Sequence, residues 1–160
     1  MEVKTADLCD DYPDKLRIAS PGLKSFGGVK SFHGPISTVQ VKDDNVLVRK
    51  ALETIPPGNV LVVDGMGSQN CALMGGNLAA IAEKRNLAGV IIHGYIRDSL
   101  EVADTDVGVL ALGTFPLKSK KEGKGEESIP LTFGNVVWHP GDYAYVDEDG
   151  VVLAEEKLHD

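Results

Sequence analysis

The sequence predicts an α/β fold built around a central βαβ unit, and three observations carry that prediction. Val60-Leu61-Val62-Val63 and Gly89-Val90-Ile91-Ile92 are short apolar, β-branched runs, the kind buried on both faces of a sheet. Between them lies an alanine-rich helical pattern entered through Gly75-Gly76-Asn77-Leu78. Both ends of the chain are β-rich and punctuated by glycine, proline, asparagine and aspartate. A strand, a helix and a strand in that order run parallel with a right-handed crossover.

Taken in order, Thr5 to Asp11 reads as a short helix capped by Thr5, with acidic residues early and Pro13 beyond it. Leu16 to Ala19 suits a short strand stopped by Pro21-Gly22. Phe26 to Val41 reads as two strands bent around Gly34-Pro35. Asp43-Asp44-Asn45 offers caps for a helix over Val46 to Thr54, whose Leu47, Ala51 and Leu52 share one face. Pro56-Pro57-Gly58 breaks that helix before the central strand.

The helix after Gly76 turns Leu78, Ile81, Ala82 and Leu87 inward and Glu83, Lys84 and Arg85 outward, with Asn77 a candidate cap. Val107 to Leu112 is a further buried strand. Lys118 to Glu127 is charged, glycine-interrupted and expected to be a solvated loop. Leu131 to Trp138, with Gly134-Asn135 at its middle, and Tyr143 to Leu153, with Asp149-Gly150, are hairpin signals. The tail Glu155 to Asp160 is polar, a short helix or coil. No internal repeat or linker is visible, so residues 1–160 are expected to form a single domain.

Composition narrows the function. The 160 residues are 42% apolar and 25% charged, ordinary for a globular protein. The formal net charge is −8, which argues against direct nucleic-acid binding, because that needs a basic surface to displace counterions. A protein partner remains compatible with it. No apolar run reaches the roughly 20 residues of a membrane span. Met1 to Asp7 lacks a basic region followed by an apolar core, so a cytoplasmic protein is expected. Cys9 and Cys71 have no metal-like spacing and read as reduced thiols.

Ligands of open α/β sheets sit beyond the carboxyl ends of the parallel strands. Here those ends carry Gly75, Gly76, Asn77 and Leu78 on one loop and Arg97 and Asp98 on the next. Backbone N–H groups at a helix start suit an anion such as a carboxylate. Arg97 presents a planar fork of donors for a carboxylate or keto oxygen. Asp98 is a hard oxygen ligand, and one carboxylate among waters and substrate oxygens is a common way to hold magnesium. A metal that chelates a 2-keto acid polarises its carbonyl and steadies an enolate as a neighbouring bond breaks. Spacing alone does not separate this from a surface Arg–Asp ion pair, the commoner origin of such a dipeptide.

Other candidates are weaker. Gly65-Met66-Gly67-Ser68-Gln69-Asn70 lacks the third glycine of a dinucleotide or methyltransferase loop, and the next strand ends His93-Gly94 rather than on an acid. Asp104 and Asp106 are possible extra metal ligands, but solvated loop acids are the simpler reading. His33 reads as structural. Ser68, Cys71 and His93 form no nucleophile–base pattern.

The residues as a set resemble the family of the regulator of ribonuclease activity A, which includes the 4-hydroxy-4-methyl-2-oxoglutarate aldolases. The resemblance covers nearly the whole chain. It rests on Thr5-Ala6-Asp7-Leu8-Cys9-Asp10, Phe26-Gly27-Gly28, Val62-Val63-Asp64-Gly65, Gly75-Gly76-Asn77-Leu78-Ala79, Phe133-Gly134-Asn135-Val136 and Pro140-Gly141-Asp142. Gly76, Arg97, Asp98 and Glu101 match the aldolase branch's spacing, and the ribonuclease-regulating branch can lack the Arg–Asp pair. The resemblance implies a swivelling-type β/β/α domain assembled as a homotrimer. It implies a class II, metal-dependent aldolase that cleaves 4-hydroxy-2-oxo diacids to pyruvate, with oxaloacetate decarboxylase as a side activity. The cofactor implied is Mg2+, or Mn2+. Matching positions give Gly75 to Leu78 and Arg97 the substrate, Arg97 and Asp98 the catalysis, and Asp98 the metal. Asn77 stands where the family commonly has Asp, and Val146-Asp147 where it often has Ala-Asp. The alternative the resemblance carries is a non-catalytic inhibitor of an RNA-degrading endonuclease of the ribonuclease E type.

Overall fold

The structure is a computed structural model that describes residues 2–159. Its spine is a run of parallel strands. They are β3 (Phe32–Gln40), β4 (Val60–Asp64), β6 (Gly89–Ile96) and β7 (Gly108–Thr114), hydrogen-bonded in that order. Pairing is in step from Ile36 with Val60, Val60 with Gly89, and Gly89 with Gly108.

Strand alternation divides the spine's side chains between two cores. Leu61, Val63, Val90, Ile92 and Val109 meet helices α2 (Val46–Thr54) and α3 (Gly76–Lys84) through Leu52, Ala79 and Ala82. Val60, Val62, Ile91 and Leu110 point the other way, onto Leu131, Phe133 and Trp138 of hairpin β9 (Leu131–Phe133)–β10 (Val136–Trp138). Trp138 is fully buried and its Nε1 donates to Phe133 O at 3.1 Å. The hairpin turn has Gly134 and Asn135 both at positive φ, as its Gly-Asn signal requires.

Phe32 to Gln40 is one strand, not two bent around Gly34-Pro35. Its first half pairs antiparallel with β11 (Tyr143–Asp147), and its second half pairs parallel with β4. Pro35 sits at the handover, where a missing N–H is tolerated. A side chain at Gly34 would run into Gly58 O, so glycine lets the strand cross there. Beyond β11 lie β12 (Gly150–Ala154) and the edge strand β1 (Arg17–Ile18), while β2 (Lys24–Ser25) closes the far edge on β7. The sheet, the strand layer packed on it and the helices form the expected β/β/α arrangement.

Helix α1 (Thr5–Asp11) exists as read, but Thr5 does not cap it. Asp147 does, accepting from Thr5 N at 2.7 Å and from Thr5 Oγ1 at 2.7 Å. At α2, Asp44 Oδ1 accepts from Val46 N, while Asn45 holds the cap position and sends its side chain to Leu73 O. Gly75, not Asn77, is the N-cap of α3.

Elements hidden inside expected loops include β5 (Ala72–Met74), which pairs with the end of β6, and α4 (Ser99–Ala103). The Lys118–Glu127 segment is largely exposed but not free. Ser119 is buried, and β8 (Glu126–Glu127) pairs with β3. The described tail forms no helix, and Asp160 lies outside the described residues. Among the described residues no helix is long and apolar enough to cross a membrane.

Candidate functional site

Two loops meet at the carboxyl end of the spine. One runs from β5 into α3. The other leaves β6 and turns into α4. They are stitched by Arg97 N–H, which donates to Met74 O at 2.9 Å, while Phe115 N–H, beyond β7, donates to Ile96 O at 2.9 Å and ties the second loop to the next segment. Asp98 then adopts the left-handed conformation, φ 58°, at the N-cap of α4. That reversal turns its carboxylate back onto α3, where Oδ2 accepts from Gly76 N–H at 2.9 Å.

The absence of side chains at Gly75 and Gly76 makes this approach possible. A Cβ at Gly75 would lie 2.6 Å from Asp98 Oδ2 and 3.2 Å from Arg97 Cγ. One at Gly76 would run into Glu101 Oε2, so the Glu101 carboxylate also lies against this helix start. Helix geometry leaves the amides of Gly76, Asn77 and Leu78 without intrahelical acceptors. Asp98 takes the first. The other two remain for a ligand.

A cleft of about 390 Å³ opens here, within the usual range of small-molecule sites. Gly75, Asn77, Leu78, Arg97 and Asp98 line one side of it. Gly76 is buried just beneath, contributing backbone rather than surface. The rest of its lining comes from Asn45 and Arg49, at and after the start of α2, and from Lys118, Ser119 and Lys121. Sequence reasoning missed this part of the wall. A signal was available: Lys118-Ser119-Lys120-Lys121 concentrates cations in a chain of net charge −8.

Asp43, Asp44 and Asn45 hold that wall in place. Asp43 Oδ1 accepts from Ser68 Oγ at 2.6 Å, and its Oδ2 accepts from Asn70 Nδ2 at 2.9 Å. These bonds hold its carboxyl below the ordinary range. Burial alone would raise Asp44, but backbone N–H bonds from Val46, Lys124, Glu122 and Gly123 outweigh it and lower its pKa. Cys71 donates to Asp43 at 3.7 Å, and burial first, then that neighbouring carboxylate, pushes its thiol up to about 11.

The remaining candidates do not reach the cleft. Asp104 and Asp106 lie at the opposite end of the spine, before β7. His93 Nδ1 pairs with buried Asp64 at 3.1 Å while its ring stacks on Phe133. His33 stacks among Tyr143 and Tyr145. Met66 and Gly67 form a tight turn closed by Met66 N–H onto Asp64 Oδ1, and it leads into a strand, not a helix. That is not the geometry of a nucleotide loop. Among the described residues no group of three or more His, Cys, Asp or Glu side chains is placed to hold a metal.

The chain's relatives share its fold but carry different descriptions. Residues 5–153 match the RraA-like family model described as Aldolase/RraA. A Bacillus cereus protein, provisionally named 4-hydroxy-4-methyl-2-oxoglutarate aldolase, is 58% identical over 156 residues, covering 98% of each chain. A solved structure from Geobacillus kaustophilus HTA426, described as S-adenosylmethionine: 2-dimethylmenaquinone methyltransferase, superposes with a TM-score of 0.96 at 59% identity. That match covers 97% of this chain and 96% of the other. The RNA-processing inhibitor RraA from Thermus thermophilis superposes with a TM-score of 0.95 at 46% identity, over 99% and 96%.

Proposed function

The chain belongs to the RraA-like family, and from that premise we propose that it is a class II, divalent-metal-dependent aldolase. Its substrates in this reading are 4-hydroxy-4-methyl-2-oxoglutarate and related 4-hydroxy-2-oxo diacids, cleaved to pyruvate. Oxaloacetate decarboxylation is a secondary activity. The observation that carries the reading is the 2.9 Å bond from Gly76 N–H to Asp98 Oδ2, which puts a carboxylate, a guanidinium and a helix start at one cleft.

The donor set fits a hard divalent cation. Asp98 keeps Oδ1 outside its bond to Gly76, and the Glu101 carboxylate lies against the same glycine. Water and keto-acid oxygens would complete such a site, with Mg2+ the expected ion and Mn2+ an alternative. The bound cation supplies Lewis acidity toward the keto oxygen.

The chain's residues bind and orient. The Arg97 fork holds the keto-acid end, and the amides of Asn77 and Leu78 donate to its carboxylate. In the cleavage, the 4-hydroxyl loses its proton and becomes a carbonyl as the C3–C4 bond breaks. The bond's electron pair leaves with the pyruvate fragment as its enolate, which is protonated at C3. Oxaloacetate reaches the same enolate by losing carbon dioxide. A homotrimer working in the cytoplasm completes this reading.

The test is pyruvate release from both acids by purified protein. Turnover that a chelator removes and Mg2+ restores supports the proposal; no turnover with Mg2+ or Mn2+ overturns it. The Thermus relative's description favours a second reading, a non-catalytic inhibitor of an RNA-degrading endonuclease. Here the surface of net charge −8 would meet a basic segment of the enzyme. Failure to slow the endonuclease at micromolar protein counts against it. The methyltransferase description of the Geobacillus relative finds no support in the turn at Met66-Gly67.

A further inference from the structure

We propose that Lys118 and Lys121 form a subsite for the substrate's second carboxylate, and that Asp44 is the positioning residue that holds their loop over the cleft. This subsite rests on the keto-acid reading above and assigns a role to the lysine-bearing part of the cleft lining.

The charge balance of the cleft is the starting point. The chain carries 24 acidic and 16 basic side chains, yet the walls of this cleft are mainly cationic. Arg49 is matched by Glu53 at 3.6 Å and Lys50 by Glu127 at 3.2 Å. Arg97, Lys118 and Lys121 have no such partner: among the described residues no carboxylate forms an ion pair with them. Asp98 is turned onto the Gly76 amide, and Lys121 Nζ donates to the neutral Asn45 Oδ1 at 2.9 Å. Cations that outnumber the carboxylates of one cleft, and pair with none of them, repel one another until an anion joins them.

Arg97 and the α3 amides can serve one carboxylate, at the keto-acid end. Lys118 and Lys121 stand on a separate segment of the same cleft, which Arg97 Nη1 reaches by donating to Pro116 O at 3.5 Å, and they add cations that this one carboxylate does not need. A substrate with a second carboxylate at its far end uses both segments; a monoacid leaves the lysines idle. Ser119, between them, is 6% exposed, and its hydroxyl has no partner among the described residues. It is a further donor that the folded chain leaves unused.

The lysine loop is exposed, yet it is fixed from below. Asp44, 3% exposed, uses Oδ2 to accept from Glu122 N–H at 2.9 Å and Lys124 N–H at 3.2 Å, while Oδ1 starts α2 at Val46. Lys120 N–H donates to Asp43 O at 2.8 Å, and Ala72 N–H to Leu117 O at 2.8 Å. The same residues that begin α2 therefore set where Lys118 and Lys121 stand. Asp44→Asn keeps the shape but replaces an acceptor oxygen with a donor facing two N–H groups.

The experiment compares turnover of a diacid, 4-hydroxy-2-oxoglutarate, with that of a monoacid, 4-hydroxy-2-oxopentanoate, by the full chain with Mg2+. The double variant Lys118→Met/Lys121→Met is expected to lower the diacid-to-monoacid ratio of kcat/KM by about 10- to 100-fold, mainly by raising KM for the diacid. Asp44→Asn shifts the ratio in the same direction by less, and circular dichroism checks its fold. An unchanged ratio in the double variant overturns the proposal, as does an equal loss on both substrates. If the wild type cleaves neither acid, the aldolase reading fails separately and calorimetry takes over. Tighter wild-type binding of 2-oxoglutarate than of 2-oxobutyrate, lost in the double variant, sustains the subsite. Equal binding of the two acids, or binding of neither, overturns it.

Discussion

Asp98 Oδ2 accepts a hydrogen bond from Gly76 N–H at 2.9 Å, joining a carboxylate at the end of β6 to the first amide of α3 across twenty-two residues of chain. Because the pair locks two loops together, a change on either side disturbs both. A methyl group at Gly75 would meet Asp98 Oδ2 at 2.6 Å and Arg97 Cγ at 3.2 Å. Gly75→Ala is therefore expected to cut kcat/KM for pyruvate release by about 10²-fold, the scale of a misplacement near 1 Å. Unchanged kinetics in a folded variant would show that the close approach is not needed.

Asp98→Ala removes the proposed metal anchor but no core packing, since the residue is exposed. Titration with Mn2+, followed by calorimetry, should show binding to the wild type and none to the variant. Thermal stability should fall modestly, because the Gly76 amide loses its acceptor and alanine is less at ease than aspartate at φ 58°. Retained Mn2+ binding would move the metal elsewhere.

Arg97→Lys keeps the charge and loses the planar fork. Turnover is expected to fall by about 10-fold or more, the worth of a charged hydrogen bond, with metal titration unaffected. A lysine variant as active as the wild type would mean that charge alone suffices.

Asp147 caps a helix 142 residues away through Thr5 N and Thr5 Oγ1. Asp147→Ala should cost about 1–2 kcal/mol in urea unfolding, the usual value of a lost N-cap. A midpoint matching the wild type would show α1 to be held by packing alone.

Burial and the Asp43 carboxylate push the Cys71 thiol up to about 11, so at pH 8 only about one molecule in a thousand carries the thiolate. Folded protein should therefore lose only its half-buried Cys9 to a thiol reagent on a minutes scale, and both thiols once denatured. Fast double labelling of the folded chain would contradict the burial seen at Cys71.

Asp44 titrates below its ordinary 3.8 in the folded chain, so it binds fewer protons there than when unfolded. Its contribution to stability is full above that ordinary value and is lost as pH falls through the folded value. Asp44→Asn should be less stable than the wild type at pH 7, with the gap narrowing below about pH 4. A gap independent of pH would mean that the carboxylate's charge is not what holds the loop.

Much of this architecture is written locally. The apolar runs at Val60 and Val90, the amphipathic helix from Val46 and the Gly134-Asn135 turn depend on neighbours in sequence, and each forms where its pattern lies. Gly75 to Leu78, Arg97 and Asp98 were marked as a set by their place after two parallel strands and by family resemblance. Other features answer to partners far along the chain. Ala72–Met74 is a strand only because the end of β6 offers it hydrogen bonds, and Phe32–Gln40 stays one strand through Gly34-Pro35 because β11 and β4 pair with its two halves. Thr5 has the residue type of a cap, but the carboxylate that caps α1 belongs to Asp147. Lys118 to Lys121 have the composition of free surface, yet Asp44, more than seventy residues earlier, holds the backbone beyond them. Sequence by itself determined the periodicity, the turns and the chemistry of the loops, because backbone sterics and side-chain polarity act over a few residues. Tertiary structure alone decided which carboxylate meets which amide and which lysines overlook the cleft, because hydrogen bonds between distant residues exist only once the sheet has brought them together.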